Sequence, residues 1–190
     1  MLQATLVAMS LAVSTDPAVR LRGLRRVEFD RLVEAGAFVG EPIELLGGML
    51  IEVRSQGSRH AWVITVLGER LTVALIGRYQ VRQEKPLAVD DESEPEPDIA
   101  VVDPVGPDAH PTTAHLVIEV AHTTQALDLG EKARRYAGAA VPIYVVLDLP
   151  AREAVLHRSP GPSGYGYVER LDATQQLELL GVPVDLAELL

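Results

Sequence analysis

Apolar residues follow two rhythms along this chain, and the switches between them mark out its elements. Over 25–38, "RRVEFDRLVEAGAF", Val27, Leu32 and Val33 stand near helical spacing with charges between them and Gly36 close to the end, which predicts a short amphipathic helix. "IELLGGMLIEV" then sets two apolar runs about Gly47-Gly48, a pair that accepts the positive φ of a two-residue hairpin. The helical rhythm returns over 58–77. There Trp62, Val66, Leu67, Leu71 and Leu75 fall along one side and Ser58 stands ready to cap. "YQVRQEKPLAV" reverts to extended chain.

Two Val- and Ile-rich runs, 97–103 and 114–121, read as strands joined by a Pro-rich loop of about a dozen residues. That loop has no room for a crossover helix, so the strands should pair antiparallel. Asp98 opens the first and Glu119 nearly closes the second, which brings two carboxylates to one end of the sheet. Beyond them, Asp128 and Glu131 read as an N-cap and its capping-box partner, Gly138 as a terminator, and Pro142 to Asp148 as a further strand. This strand–helix–strand unit predicts a parallel pairing, hence a mixed sheet. "REAVLHRS" and "GYGYVERL" form a later hairpin, and "LELLGVPVDLAELL" a strand with a short helical end. The fold class is α/β, a mixed sheet flanked by helices. Residues 1–24 are expected to be a poorly ordered N-terminal extension and 25–190 a single domain.

Composition narrows the function. With 190 residues, 47% of them hydrophobic, the chain can bury one sizeable core. A formal net charge of −10 excludes a protein that grips nucleic acid by bulk attraction, so any phosphate contact must be local. The absence of Cys removes disulfides, zinc–thiolate sites and thiol nucleophiles, and fits a reducing compartment; the cytoplasm is the expected location. The apolar start has no basic residue before it, so an export leader is not expected. Nor does any later apolar run approach the roughly 20 residues that span a bilayer.

Two carboxylates at converging strand ends suit a hard divalent cation, Mg²⁺ or Mn²⁺. Such an ion binds a phosphate oxygen and acidifies a water, which points to phosphodiester hydrolysis. A nearby ammonium would orient the attacking water or stabilise charge developing on phosphorus, and Lys132, in the helix leaving that sheet end, is the candidate. Glu44 could add a third carboxylate, and His60 and Gln83 could contact substrate. Glu94 and Glu96 read as solvated loop charges, and Tyr136 as a packing residue whose hydroxyl lies near the site. For approach to DNA the chain offers Arg20, Arg22, Arg25, Arg26, Arg134 and Arg135. The bland alternative is a structural salt bridge among Asp98, Glu119 and Lys132 with no metal.

"SEPEPDIAVV", "LVIEVAHTTQALDLGEKARRYAGAAVPIYVVLD", the hairpin "IELLGGML" and the His-bearing helix "SRHAWVITVL" occur here in an order that resembles the PD-(D/E)xK nuclease superfamily, in its bacterial restriction-endonuclease-like branch. The resemblance spans about residues 25–185. It implies a Mg²⁺- or Mn²⁺-dependent endonuclease acting on DNA, with Asp98, Glu119 and the Val120 or Ala121 carbonyl as metal ligands and Glu44 assisting. It also implies a homodimer, because cutting both strands takes two sites. The superfamily's usual lysine stands two positions after the glutamate, where this chain has Ala121; in the branch it resembles, the lysine has moved to the helix, at Lys132. His122 stands where relatives often carry a small polar or acidic residue. Two other readings remain: an inert member of the fold serving as a nucleic-acid-binding or assembly module, and a hydrolase of small phosphoesters.

Overall fold

The computed structural model describes residues 22–53 and 57–190. At its centre is a six-stranded mixed sheet in the order β3-β4-β5-β6-β7-β8. Its strands are β3 (Gln80–Gln83), β4 (Ile99–Val102), β5 (Leu116–Ala121), β6 (Ile143–Asp148), β7 (Glu153–Gly161) and β8 (Gly164–Asp172). The predicted pairings hold: β4 and β5 run antiparallel, β5 and β6 parallel. Alternation along β5 explains its burial on both faces. Leu116, Ile118 and Val120 enter one core with α2 (Ser58–Leu75), while Val117 and Ala121 enter the other, with Ala133, Tyr136 and Ala137.

On its inner side α2 carries Val63, Ile64, Leu67, Leu71 and Leu75, each burial contributing about 2 kcal/mol. Trp62, expected on that side, is instead 43% exposed. It sits one residue before the buried stripe, and its ring carries the Arg59 guanidinium 4.8 Å from its centroid. The first helix, α1 (Arg26–Glu34), also departs from expectation: Phe29 is its buried residue, stacked on Phe38, while Val27, Leu32 and Val33 stay exposed. The last stretch is a hairpin rather than one strand. β9 (Gln176–Leu179) and β10 (Val182–Asp185) turn at Leu180 and Gly181, both at positive φ, before α5 (Leu186–Leu189). Their inward Leu177, Leu179, Val182 and Val184 extend the α2 core.

The hairpin β1 (Ile43–Leu46) and β2 (Met49–Glu52) lies outside the six-stranded sheet. The acidic loop before β4 stitches it down: Glu94 N–H donates to the Leu45 carbonyl at 2.8 Å, Gly48 N–H to the Glu92 carbonyl at 2.7 Å, and Gly47 N–H to Ser93 Oγ at 3.0 Å. Gly47 and Gly48 take φ of 60° and 77°, as the turn requires. Gly48 is doubly constrained, since a Cβ there would lie 2.9 Å from the backbone of Gly23.

Gly48→Ala should therefore destabilise the fold by about 2 kcal/mol, from left-handed strain and the backbone clash. At this chain length that is a fall in Tm of roughly 4–8 °C. Gly130→Ala, where a Cβ meets nothing within 4 Å, is the matched control in thermal unfolding. Equal Tm for the two variants would contradict the Gly23–Gly48 approach.

Candidate functional site

The register of β4 on β5 explains how the site forms. Ile99 pairs with Ile118 and Ala100 with Val117, so one further step sets Asp98 opposite Glu119. Directly opposed residues of an antiparallel pair hold their Cβ atoms about 5 Å apart. In place of a backbone carbonyl, the Asp98 side chain continues the ladder: its Oδ2 accepts the Val120 N–H at 2.6 Å, and Asp98 N–H reaches Glu119 Oε2 at 3.4 Å. Within a strand one residue's N–H and C=O point to the same side, so the Val120 carbonyl also turns toward the β4 edge. The Ala121 carbonyl is on the other side, accepting Leu149 N–H at 3.0 Å.

Both layers reach this sheet end. From α2, His60 brings Nε2 to 3.1 Å from Asp98 Oδ2, and in its Nε2–H tautomer it donates to the carboxylate. From the opposite layer comes a helix in three parts, α3 (Gln125–Leu127), a π-helical turn π1 (Asp128–Lys132) and α4 (Ala133–Gly138). Lys132 Nζ donates to Glu119 Oε1 at 3.1 Å and stands 3.3 Å from Glu44 Oε2 on the stitched hairpin. Tyr136 O–H donates to the same Glu119 Oε1 at 2.8 Å.

Asp128 is not a helix cap. The helix starts three residues earlier, at Gln125, and the Asp128 carboxylate is buried, with Thr124 Oγ1 donating to it. Asp128, Lys132 and Tyr136 recur every four residues, and that spacing, which sets side chains on one helix face, was the signal that could have assigned Asp128 to the cluster.

Four carboxylates (Glu44, Asp98, Glu119 and Asp128) are thus buried around one ammonium, each residue no more than 6% exposed. Burial, then the charge of Glu119, pushes the Asp98 carboxyl well above its usual range. Burial raises Glu44 to about 7 against the opposing pull of Lys132, and burial with the Glu119 charge raises Asp128 to about 7. Burial disfavours the Lys132 charge, but the Glu119, Glu44 and Asp128 carboxylates outweigh it and hold the ammonium above the ordinary lysine value. His60 is lowered to about 4, by burial first and the nearby His122 second, so it is neutral at physiological pH.

Of the residues singled out in the sequence, Asp98, Glu119, Val120, Lys132, Glu44 and His60 converge. Gln83 does not: its side chain lies where a Cβ on Gly68 would meet it at 2.4 Å, about two turns along α2 from His60. Glu94 is buried rather than solvated, raised to about 7 by burial, with Arg26 3.9 Å away; Glu96 is exposed as expected. The arginines proposed for DNA approach are largely committed to acids. Arg22 pairs with Glu28, Arg26 with Asp30, Arg134 with Glu131, and Arg135 with Glu131 and Asp90. Arg20 and most of the expected N-terminal extension lie outside the described residues. Among the described residues no helix is long and apolar enough to cross a membrane.

No curated protein matches the chain in sequence. Among solved structures it is similar to a crystal structure described as "a putative nuclease belonging to DUF820" from Anabaena variabilis, with a TM-score of 0.70 over 87% of this chain and 97% of that one. At 13% identity that likeness shows a shared fold. The fold is the mixed α/β, restriction-endonuclease-like architecture that the order of motifs implied. The family model described as "Putative restriction endonuclease" matches residues 27–189, nearly the whole described domain and both sides of the carboxylate cluster, and the chain belongs to that family, Uma2.

Proposed function

We propose that this member of a nuclease family hydrolyses phosphodiester bonds in DNA with the help of Mg²⁺ or Mn²⁺. The observation that carries the proposal is the enforced opposition of Asp98 and Glu119 beside a charged, buried Lys132. At the roughly 5 Å that separates opposed Cβ atoms, two like charges would repel by about 3 kcal/mol even at an effective dielectric near 20. Lys132 answers only part of this, since four carboxylates face one ammonium.

The donor set fits a hard divalent ion. Asp98, Glu119 and the Val120 carbonyl would hold it, oxygen ligands throughout. Glu44 Oε2, buried and without a hydrogen-bond partner, adds acceptor capacity beside them. Among the described residues no three acidic or imidazole side chains close into a metal cage, and Mg²⁺ requires none, since it takes one or two carboxylates and completes its shell with water and phosphate oxygens. When bound, the ion supplies Lewis acidity to a phosphate oxygen and acidifies a water.

The chain's own groups do the rest. Lys132, kept protonated by its acidic neighbours, offers N–H donors to the water and to the negative charge that grows on phosphorus. Tyr136 and Lys132 together fix Glu119 Oε1, leaving Oε2 turned toward Asp98. His60, neutral, orients Asp98 as a positioning residue without cancelling its charge. A double-strand cut with one site per chain calls for two copies, and the cytoplasm is where such a cysteine-free nuclease would meet DNA.

The same ion pairs would also persist in an inert module of this fold, so activity must decide. Plasmid and labelled-oligonucleotide cleavage in Mg²⁺ or Mn²⁺ should be strong for wild type, absent for Asp98→Asn, and reduced roughly 10²- to 10³-fold for Lys132→Met. Circular dichroism would verify that both variants fold. Equal cleavage by all three would remove these residues from the chemistry, and no cleavage by wild type would favour the inert module.

Stability gives a second test. Glu44 binds its proton near pH 7 when folded and near 4.5 when unfolded. Between those values the folded state holds the extra proton, so the group's contribution to stability falls as pH rises through the window. In metal-free buffer Glu44→Gln should gain on wild type by roughly 3 kcal/mol between pH 4.5 and 8, measured by urea denaturation. Mg²⁺ or Mn²⁺ should raise wild-type stability far more at pH 8 than at pH 5. A pH-independent offset between the two proteins would contradict the raised carboxyl.

A further inference from the structure

The acidic chain still needs a way to hold a polyanion, and of the arginines first suspected Arg22, Arg26, Arg134 and Arg135 are paired with carboxylates. A cleft of about 530 Å³ opens at the same end of the sheet as the carboxylate cluster, lined by Arg59, His122, Leu149, Pro150, Arg152 and Leu190. Its walls are the elements that build the site. Arg59 directly precedes His60 in the first turn of α2, a turn without an acidic residue, and His122 follows Val120 by two positions at the exit of β5. Leu149 is tied to β5 through its N–H to the Ala121 carbonyl at 3.0 Å, which fixes the β6–β7 turn against that exit.

No carboxylate among the described residues neutralises either guanidinium in the cleft. Among the described residues Arg59 and Arg152 have no carboxylate within salt-bridge distance; Arg59 rests on Trp62 and donates to the Leu189 carbonyl at 3.1 Å. Asp148, at the start of the same turn, directs Oδ1 to Ala151 N–H at 3.2 Å and Gln125 Nε2 at 3.1 Å instead. Arg152 holds a φ of 54°, a left-handed conformation that costs a side-chain-bearing residue about 1–2 kcal/mol. Glycine or asparagine would suit the backbone better, yet the position carries a guanidinium facing the cleft.

We propose that this cleft is a phosphate subsite that holds the backbone of a nucleic-acid strand alongside the carboxylate cluster, with Arg59 and Arg152 contacting a phosphate next to the one at Asp98 and Glu119, and His122 as a further donor. The identity of the occupant rests on the nuclease reading above. The geometry supplies the local positive patch that a chain of net charge −10 lacks in bulk. Guanidinium pairs suit the task because their planar N–H forks match phosphate oxygens two at a time. Trp62 holds the Arg59 head in place beneath one face.

The test is binding, measured apart from cutting. Fluorescence anisotropy of a labelled DNA oligonucleotide, with Ca²⁺ replacing Mg²⁺, would follow affinity across a salt series for wild type, Arg152→Gln, Arg59→Gln/Arg152→Gln and Arg78→Gln. Arg152 makes no hydrogen bond that stabilises the described fold, so its single variant guards against misfolding of the double one. Arg78 lies past the far end of α2, on the order of 25 Å from Arg59, and carries the same change in net charge. Each cleft arginine removed should weaken binding roughly tenfold and lower the salt slope by about one, while Arg78→Gln leaves both unchanged. Unchanged affinity in the cleft variants, an equal loss in Arg78→Gln, or no binding by wild type would overturn the subsite. Binding of inorganic phosphate at these arginines in calorimetry, with the oligonucleotide excluded, would overturn it in favour of a free anion. A wild type that binds through these arginines but never cleaves would refute the nuclease reading and leave the subsite standing. Cleavage with unaffected binding in the variants would do the reverse.

Discussion

Everything around the site answers one electrostatic constraint: the register of β4 on β5 forces the carboxylates of Asp98 and Glu119 to face each other at a buried sheet end. Opposed like charges on neighbouring strands destabilise a sheet, and burial removes the water that would screen them. The surrounding residues make sense as responses. Val120 N–H and His60 hold Asp98, while Lys132 and Tyr136 converge on Glu119. Burial, with the charge of Glu119 adding to it, keeps Asp98, Glu44 and Asp128 raised despite those contacts. Four buried carboxylates are left to share one buried ammonium.

The periphery is arranged to deliver groups to that end. The β1–β2 hairpin shares no strand pairing with the six-stranded sheet, yet hydrogen bonds from the 90–95 loop bring Glu44 over Lys132. Arg135 strengthens the same seam by pairing with Asp90. On the helical side, π1 carries Asp128 and Lys132, and such widened turns recur at functional sites in other proteins. The acidic surface then sorts its cations by place: Arg22, Arg26, Arg134 and Arg135 secure α1, α4 and the hairpin, whereas Arg59 and Arg152 border the cleft at the same end of the sheet as the carboxylates.

Much of this was legible in the residues. Strand assignments at 97–103 and 114–121 followed from Val and Ile content and from a loop too Pro-rich for a helix, and their antiparallel pairing carried the meeting of Asp98 and Glu119 with it. Periodicity failed where burial is decided by a partner the pattern does not name. Trp62 and the α1 residues Val27, Leu32 and Val33 match the rhythm but remain exposed, because the surface they meet is set by distant chain. Glu94 failed in the opposite sense, since a loop charge was buried by a hairpin distant in sequence, through its N–H to the Leu45 carbonyl.

By itself, then, the sequence determined the α/β class, the mixed sheet, and the pair of carboxylates with a lysine on the following helix, because strand and helix periodicity and loop length are local properties. Only the tertiary structure decided that Glu44 and Asp128 join them, that Gln83 does not, and that two arginines with no ion pair among the described residues line the cleft. Those outcomes depend on which side of each element meets which neighbour across long sequence separations. Charge pairing adds to this: an arginine's role follows from whether an acid lies within a few ångströms, and chain order alone does not encode that distance.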